Sequence, residues 1–357
     1  MANIYRVGVI GFAHMHVTWH LDEFSQLDNI EWTACADTAP SAPSLSKGPL
    51  TRAENLKHAL EKTGVPRFYN DYRELLEKEK CDIVIVCPEN ARHAETIEAV
   101  AESGANIIVE KPPAHNFDDY ARMLRAVEKA GATMAVNWPS TWSPELRLAK
   151  EIVDSGEIGQ VFQIKWRQGS TGPLPRLTDR EKGAEWWHRK ADGGGSLLDY
   201  CCYGACISRW ILDESPQAVM GMAANFTSLW GDADDNAALI VRFPSAMAIL
   251  ESTWNCVHHG VSSRHLIYGS EGTIAMVPGG VQVFKDRGEG ELRKPQPLPE
   301  NRNTMAKELI HHLETGDPIH PTLDAPVNID AMAVLDAGLR SAESGQLEMT
   351  RSLAWPT

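Results

Sequence analysis

The first 137 residues alternate short apolar runs with segments in which apolar positions recur every three or four residues. The apolar runs predict β-strands and the periodic segments predict helices. Predicted strands cover residues 4–10, 30–37, 81–87, 106–110 and 133–137; predicted helices cover 55–64, 71–79, 91–104 and 117–131. Strands that alternate with helices are typical of parallel βαβ units, so the pattern predicts a doubly wound parallel sheet.

The pattern changes after Asn137, where aromatic and glycine-rich segments replace the regular alternation. It predicts strands over 159–168, 217–229, 236–243, 247–255 and 263–276, and helices over 143–156, 199–213, 304–315 and 326–344. These strands predict a mostly antiparallel sheet with the last three helices on one face, and residues 286–303 predict a solvated loop. Two α/β domains are therefore expected, over 1–137 and 138–357.

Composition excludes several classes of protein. The chain has 357 residues, a formal net charge of −14 and no basic patch, which argues against nucleic acid or an anionic membrane as partner. No apolar segment approaches the roughly 18 residues of a membrane span, and the amino terminus has no signal-peptide pattern. We therefore expect a cytoplasmic protein whose seven cysteines, an odd number, are reduced.

Two clusters raise the question of a metal. Cys201, Cys202 and Cys206 lack the spacing of a zinc site. His14, His16 and His20 have no carboxylate or cysteine nearby in the sequence to complete a ligand set. The sequence therefore predicts no metal site, and packing or cofactor contact is the better interpretation of these residues.

The loop after the first strand is the expected place for a dinucleotide. It reads Gly11, Phe12, Ala13, His14, Met15, His16, and keeps only the first of the three glycines that usually approach a pyrophosphate. Asp37 ends the second predicted strand, where a carboxylate can accept from the ribose hydroxyls of NAD. NADP stays open, because another loop could supply a cation for its extra phosphate.

Several stretches resemble the Gfo/Idh/MocA family, named for glucose-fructose oxidoreductase and inositol dehydrogenase. The resemblance begins at the Glu110-Lys111-Pro112 motif and extends in family order through residues 7–16, 87–114, 145–167, 193–212 and 268–274. It implies an N-terminal Rossmann domain and a C-terminal α/β domain with a large open sheet. It also implies NAD or NADP as cofactor, and a homodimer or homotetramer formed through that sheet.

The resemblance also implies roles for individual residues. Lys111 would be the centre of the chemistry, and Pro112, which can adopt a cis peptide, would fix the backbone that aims it. Asp199 is present in the family's catalytic segment, and Tyr203 stands where many members carry histidine, as in the branch that contains xylose and dihydrodiol dehydrogenases. Cofactor contacts fall on Cys87, Pro88, Asn90, His93 and Glu110 in addition to Lys111, the loop residues Gly11 to Met15, and Asp37.

Asp199 and Tyr203 are one helical turn apart and can converge on one substrate hydroxyl. We expect Tyr203 to pass the hydroxyl proton while Asp199 orients the substrate, with Lys111 lowering the pKa of the phenol. Eight of the eleven tryptophans fall between 138 and 254, which favours a sugar or polyol ligand. The candidate substrate contacts are Trp138, Trp142, Arg167, Trp187, His188 and Arg189, whose cations leave room for an acidic substituent.

The leading hypothesis is an NAD(P)-dependent dehydrogenase acting on a secondary alcohol of a sugar, cyclitol or glycoside. One alternative is a glycosidase that uses NAD transiently, through oxidation, elimination and re-reduction. Another is a catalytically silent NAD-binding regulator, against which the presence of Lys111, Asp199 and Tyr203 argues.

Overall fold

The computed structural model describes residues 3–258 and 265–352. Its strands form one sheet of six and one sheet of nine. Within the described ranges no helix has both the length and the apolar character needed to cross a membrane.

The six-stranded sheet is built from the first part of the chain. Its strands are β1 (Tyr5–Ile10), β2 (Ile30–Ala36), β3 (Phe68–Tyr69), β4 (Ile83–Val86), β5 (Asn106–Glu110) and β6 (Met134–Asn137). All pairs are parallel, in the order β3-β2-β1-β4-β5-β6. The prediction of a doubly wound parallel sheet is confirmed; the two-residue β3 has too little apolar pattern for the sequence to predict it.

Helices connect these strands. They are α1 (Val17–Phe24), α2 (Arg52–Lys57), α3 (Tyr72–Lys78), α4 (His93–Ser103) and α5 (Phe117–Ala130), and α2 continues into a π-helical turn at His58–Thr63. The ends of α5 show why they form where they do. The Asn116 side chain accepts from the backbone N–H of Asp119, and Gly131 ends the helix with a φ of 65°.

The nine-stranded sheet follows. Its strands are β7 (Val161–Gly169), β8 (Ala218–Ala224), β9 (Asn236–Arg242), β10 (Met247–Thr253), β11 (His265–Gly269), β12 (Gly272–Val277), β13 (Gly280–Phe284), β14 (Glu291–Arg293) and β15 (Glu348–Met349). The order is β14-β13-β12-β11-β7-β10-β9-β8-β15, and only the β7–β10 pair is parallel. The prediction of a second, mostly antiparallel sheet is confirmed.

Several details of the second sheet differ from the sequence prediction, among them the edge strand β15, which was not predicted. The segment predicted as one strand over 263–276 forms two, β11 and β12, and its first two residues lie outside the described part of the chain. Its neighbour β13 was not predicted. The segment 286–303, predicted as a solvated loop, contributes the edge strand β14, because three residues pair with β13 in a stretch too polar to show an apolar pattern.

The helices of the second half are α6 (Pro144–Asp154), α7 (Asp179–Lys182), α8 (Cys202–Leu212), α9 (Met305–Thr315) and α10 (Ala325–Ser344). Helices α8 and α10 cover one face of the nine-stranded sheet, as predicted. Helix α9 instead packs mainly against α1, so the prediction that it covers the second sheet is wrong. Its buried face carries Met305, Leu309 and Ile310, and apolar periodicity shows that a face is buried but not against which neighbour.

Candidate active site

A cleft of about 310 Å³ lies where β1 and β5 of the first sheet end. Its lining includes Lys111, Asp199 and Tyr203, the three residues that the sequence predicts to be catalytic. The carboxyl ends of parallel strands are the expected place for a ligand in an open α/β sheet. The fold thus brings the three predicted catalytic residues together.

Glu110 and Lys111 end β5 and are buried, at 0% and 2% exposure. Their partners lie on different sides: Glu110 contacts histidines of the loop after β1, whereas Lys111 reaches Asp199 beside the second sheet. The peptide bond between Lys111 and Pro112 is cis, which is the isomer that the family resemblance suggested.

Lys111 forms a buried ion pair. Its Nζ donates to Asp199 Oδ1 at 2.5 Å and to the backbone oxygen of Asp199 at 3.1 Å, and it lies 4.9 Å from the centre of the Tyr203 ring. Burial opposes the charged form, but the attraction of Asp199, with Tyr203 and Cys202, holds the pKa of Lys111 well above its ordinary value. Lys111 therefore remains an ammonium at neutral pH.

The other oxygen of Asp199 is held by a tryptophan. Trp254 Nε1 donates to Asp199 Oδ2 at 3.0 Å, so the carboxylate has a partner on each oxygen. This arrangement fixes the rotation of the carboxylate. Trp254 was not among the predicted site residues, because it lies 55 residues further along the chain and follows β10.

The segment that carries Asp199 is a π-helical turn, Leu197–Cys201, that continues into α8. Gly195 precedes it with a φ of 116°, and a Cβ at that position would lie 2.3 Å from Asp234 Oδ1. Asp234 Oδ2 accepts from the Ser196 hydroxyl and the backbone N–H of Leu197, both at 2.8 Å. The glycine thus admits the carboxylate that anchors the start of this helix.

Tyr203 differs electrostatically from the expectation. Burial raises the pKa of its phenol, and although Lys111 acts in the opposite direction, the net shift is upward. The expectation that Lys111 lowers this pKa below its ordinary value is wrong for the protein alone, because loss of solvation outweighs the attraction of an ammonium already paired with Asp199. Tyr203 is a proton donor at neutral pH.

Most of the residues predicted to contact the substrate do not line the cleft. Trp187 lines the cleft. Trp138 is fully buried behind Tyr203, 5.7 Å between ring centres, and Arg167 pairs with Glu251 on the outer face of the second sheet at 3.1 Å. Because side chains alternate along a strand, Arg167 points away from the cleft and Gln168 lines it.

Three further predicted contacts are also not brought to the cleft. Trp142 packs against the core, and Arg189 pairs with Asp192 at 3.0 Å. His188 packs against the edges of Trp230 and Trp254, and burial lowers its pKa to about 4. The lining residues that the sequence did not suggest include Ser170, Leu174 and Tyr200, together with His16 from the first loop.

The loop after β1 makes the sharp turn that a dinucleotide needs. Gly11 has a φ of 88°, and a Cβ there would lie 2.3 Å from the backbone nitrogen of Pro88, so glycine is required. The backbone N–H of Phe12 donates to Asp37 Oδ1 at 3.2 Å, and that of His14 to the oxygen of Cys87 at 3.0 Å. Met15 and His14 line the cleft.

Asp37 has an unexpected partner. Arg52 donates to Asp37 Oδ1 and also to Glu89 Oε1, bridging the two carboxylates. The sequence offered no cation close to Asp37, and the fold supplies one from α2, fifteen residues further on. A carboxylate for a ribose diol and a cation for a phosphate therefore lie side by side.

The remaining cofactor candidates support the loop. Cys87 is buried, and its backbone N–H donates to Ile10. Asn90 Nδ2 donates to the oxygen of Gly193 at 2.8 Å, and its Oδ1 is buried with no hydrogen-bond partner within the described ranges. His93 Nδ1 lies 3.0 Å from the oxygen of Pro113, and burial lowers the pKa of His93 to about 4.

The Glu110 carboxylate lies among three histidines. Oε2 is 3.0 Å from His16 Nδ1 and 3.5 Å from His14 Nδ1, and Oε1 is 2.7 Å from His20 Nε2. The reason given above for excluding a metal, that no carboxylate completes the histidine set, is therefore wrong, because β5 brings Glu110 to it from 90 or more residues away. The seven cysteines, by contrast, form no disulfide in the part of the chain that the structure describes.

The edge of the first sheet has space for both ends of a dinucleotide. Besides the cleft, a cavity of about 290 Å³ lies at its β2–β3 end, lined in part by Asp37, Thr38 and Tyr72. Between the two, Trp186 Nε1 donates to the oxygen of Ala13 at 3.0 Å and only a narrow gap is left beside the loop. The residues fit NAD with Asp37 at the adenosine end and His14, Met15 and Lys111 at the nicotinamide end.

A doubly wound sheet with this loop and cleft defines an NAD-binding oxidoreductase. The family described as an oxidoreductase family with an NAD-binding Rossmann fold matches residues 5–138, and the GFO/IDH/MocA C-terminal domain matches residues 146–275. The chain therefore belongs to the Gfo/Idh/MocA family, as the sequence predicted.

Several known proteins are similar to this chain. Myo-inositol 2-dehydrogenase of Thermotoga maritima is 26% identical over 75% of this chain and 74% of its own length. The scyllo-inositol 2-dehydrogenase (NAD(+)) of Bacillus subtilis is 25% identical over 84% of this chain and 87% of its own. The crystal structure of aldose-aldose oxidoreductase from Caulobacter crescentus complexed with glycerol superposes with a TM-score of 0.78 at 22% identity, covering 97% of this chain and all of the other, and this likeness shows the fold.

Proposed function

We propose that the protein transfers a hydride between a secondary alcohol of a sugar, cyclitol or glycoside and the nicotinamide of NAD, with NADP as a possible substitute. The observation that carries the proposal is the arrangement of Lys111, Asp199 and Tyr203 in one cleft beside the dinucleotide loop. The names of the two inositol dehydrogenases support it. When bound, NAD supplies the hydride acceptor, and the residues of the chain bind and orient the alcohol and handle its proton.

The proton chemistry follows from the charges. Lys111 keeps its proton and attracts negative charge that develops on the substrate oxygen. Tyr203 is protonated in the resting protein and is placed to donate during reduction of a carbonyl. Oxidation of an alcohol requires the phenolate form of Tyr203 to accept the hydroxyl proton. Because alkaline pH increases the fraction of phenolate, we expect it to favour oxidation.

The cleft lining favours an uncharged substrate. Gln168, Ser170 and Tyr200 offer hydrogen bonds, and Trp187 offers a flat apolar face for the C–H side of a sugar or cyclitol ring. Of the described residues that line the cleft, Lys111 is the one lysine or arginine, and Asp199 compensates its charge. Arg167 and Arg189 pair with Glu251 and Asp192 and do not line the cleft, so they are not placed to bind an acidic substituent on the substrate.

The position of Arg52 beside Asp37 is compatible with either NAD or NADP as cofactor. Asp37 is suited to the ribose diol of NAD, and release of Arg52 from Asp37 would place a cation where the 2′-phosphate of NADP must lie. We expect NAD to be preferred, since Arg52 is engaged by two carboxylates at once.

A homo-oligomer is also proposed. The outer face of the nine-stranded sheet exposes large apolar side chains on β7 to β10: Phe162, Met220, Met222, Ile240 and Met247. Contiguous apolar patches of this kind mark association surfaces. Light scattering after gel filtration is expected to give a mass of two or four chains.

The test is a screen of NAD and NADP against myo-inositol, glucose, xylose and aryl glycosides, with NADH formation as readout. Replacement of Lys111 by Met is expected to lower kcat about 10²–10⁴-fold with NADH still bound, because the cation that stabilises the developing alkoxide is lost. The matched control Lys80→Met removes an exposed lysine and should change nothing.

Three outcomes would redirect the proposal. Full activity of Lys111→Met would contradict the assigned chemistry. Release of aglycone from an aryl glycoside without net NADH would indicate a glycosidase that uses NAD transiently. NADH binding with no turnover on any compound would indicate a regulator.

A further inference from the structure

Three buried histidines surround a single carboxylate beside the cleft. His14, His16, His20 and Glu110 are 1%, 8%, 2% and 0% exposed. The histidines come from the loop after β1 and from α1, and Glu110 ends β5. His16 occupies the position at which a dinucleotide loop usually has its third glycine, so the chain has a metal-binding side chain where the usual loop has none.

We propose that His14, His16 and Glu110 bind a divalent transition-metal ion of the zinc class, with an open coordination position facing the cleft. The three ligand atoms are His14 Nδ1, His16 Nδ1 and Glu110 Oε2, which all lie within 4.8 Å of one another. Two imidazoles and a carboxylate, with one position left open, are a ligand set that catalytic zinc uses.

Both distances from the carboxylate oxygen to the imidazole nitrogens are close to those that such an ion requires. Metal bonds of about 2.0–2.1 Å in a tetrahedron place neighbouring ligand atoms roughly 3.3–3.4 Å apart. Glu110 Oε2 lies 3.0 Å from His16 Nδ1 and 3.5 Å from His14 Nδ1, on either side of that value. To bind the ion, His14 Nδ1 gives up a weak contact of 3.3 Å with the backbone N–H of His16.

The second oxygen of Glu110 is held in the way that metal-binding carboxylates are usually held. Oε1 lies 2.7 Å from both His20 Nε2 and Asn137 Nδ2. These two contacts fix the carboxylate and leave Oε2 directed to His14 and His16, apart from a 3.3 Å contact with the backbone N–H of Lys111. His20 and Asn137 are therefore positioning residues for the ion.

A separate observation concerns the hydrogen bonds of His14. Its Nε2 is buried and has no hydrogen-bond partner among the residues that the structure describes, although buried imidazole nitrogens are normally paired. The polar contacts that the structure gives this ring are made through Nδ1, the proposed ligand atom, and Nδ1 is free to bind an ion when the ring proton is on Nε2. The positive charge nearby is also compensated, because the ammonium of Lys111 is paired with Asp199.

His14 and His16 both line the cleft, so the open coordination position would face a bound substrate. An ion there would act as a Lewis acid on a hydroxyl or carbonyl oxygen of the substrate. This role, unlike the binding of the ion itself, rests on the proposed function.

Metal binding can be measured without a substrate. Tag-free protein is freed of metal with a chelator, titrated with Co²⁺ and followed by its visible absorption, and the zinc content of protein as purified is measured by mass spectrometry. One equivalent of zinc per chain and saturable Co²⁺ bands are expected. Absence of both from the wild-type protein would overturn the proposal whatever the variants do.

Variants locate the site. Replacement of His14, His16 or Glu110 by Gln should abolish the Co²⁺ bands, whereas His20→Gln should weaken affinity about 10–100-fold. The control His320→Gln removes a buried histidine outside the cluster and should bind as wild type. Bands that persist in His14→Gln and His16→Gln would place the ion elsewhere and contradict the assignment.

Activity separates this proposal from the previous one. If metal-free protein oxidises a polyol as fast as the zinc form, the Lewis-acid role fails and the proposed hydride transfer stands. If the protein binds one zinc but produces no NADH with any polyol, the metal site stands and the proposed function fails.

Discussion

Glu110 and Lys111 are neighbours in the chain, carry opposite charges and are both buried, yet their surroundings differ. Lys111 meets a full opposite charge on Asp199, supplied by the segment before α8. Glu110 meets the rings of His14, His16 and His20 and the amide of Asn137, which come from the loop after β1, from α1 and from β6. One residue therefore joins the two halves of the chain, and the other organises the dinucleotide loop.

The comparison shows how one strand end can serve two purposes. Alternation of side chains along β5 directs consecutive residues to different sides. The Lys111 side brings an ammonium, a carboxylate and a phenol together at the cleft, whereas the Glu110 side combines one carboxylate with three imidazole rings and an amide. We expect substitutions on the two sides to affect different measurements.

The largest effect is expected on the Lys111 side, from Tyr203→Phe. This change keeps the ring beside Trp138 and removes the proton donor, so kcat should fall about 10²–10⁴-fold while NADH affinity and stability stay near wild type. Steady-state kinetics and NADH fluorescence measure the two quantities. The control Tyr200→Phe removes a hydroxyl that is bonded to Ser170 and should cost roughly tenfold or less. Equal losses in both variants would remove the special role of Tyr203.

Stability should separate the two acids. Asp199→Asn leaves the ammonium of Lys111 buried without its counter-charge, and we expect a loss of about 3–5 kcal/mol in the free energy of unfolding. Glu110→Gln keeps the size of the side chain but leaves its histidine and amide partners imperfectly bonded, and it should cost about 1–3 kcal/mol. Urea denaturation measures both, and the double variant Asp199→Asn with Lys111→Met should recover part of the first loss. An equal cost for both single variants would contradict the contrast drawn between them.

The fold and the Lys111 side were accessible from the sequence for a physical reason. Buried strands need apolar runs, crossover helices need a periodic apolar face, and Asp199 and Tyr203 share a helix at four-residue spacing, so each signal is local. Both sheets and the three residues in the cleft follow from such signals. The short strands β3, β14 and β15 were missed because two or three residues carry no pattern.

The Glu110 side and the substrate contacts were not accessible, because they depend on contacts between distant parts of the chain. Nothing in the sequence near His14, His16 and His20 predicts that the carboxylate of Glu110 contacts these histidines. The strand predicted over 159–168 is present, but Arg167 was predicted to contact the substrate, whereas its neighbour Gln168 faces the cleft. Because side chains alternate along a strand, an error of one residue moves the predicted contact to the opposite face of the sheet. Trp138 was likewise predicted to line the cleft from its residue type alone. In the structure it lies behind Tyr203 and packs against the ring of that residue.

Acid should destabilise the protein through a buried histidine, His93. His93 lies behind the turn that follows Lys111, and burial lowers its pKa from 6.5 to about 4. Between these values the unfolded chain binds the proton that the folded protein excludes, so stability falls as pH falls from about 6.5 towards 4. His93→Gln removes this group, and its loss of unfolding free energy between pH 7 and pH 5 should be smaller than that of the wild type by about 2 kcal/mol. Identical losses in the two proteins would show that His93 is already protonated, or solvated, in the fold.

The smallest effect is expected from Trp254, which contacts Asp199 from the side opposite Lys111. Trp254→Phe keeps most of the apolar ring and removes the N–H that donates to Asp199 Oδ2. A hydrogen bond to a charged group contributes about 1.5–3 kcal/mol, and the ion pair with Lys111 stays in place, so kcat/KM should fall roughly tenfold with little change in NADH affinity. If Trp254 only fills space, Trp254→Phe would be as active as the wild type, and the orientation of Asp199 would be assigned to Lys111 alone. Trp230→Phe, which alters a neighbouring ring that packs on His188 and makes no contact with Asp199, is the matched control and should leave kcat/KM unchanged.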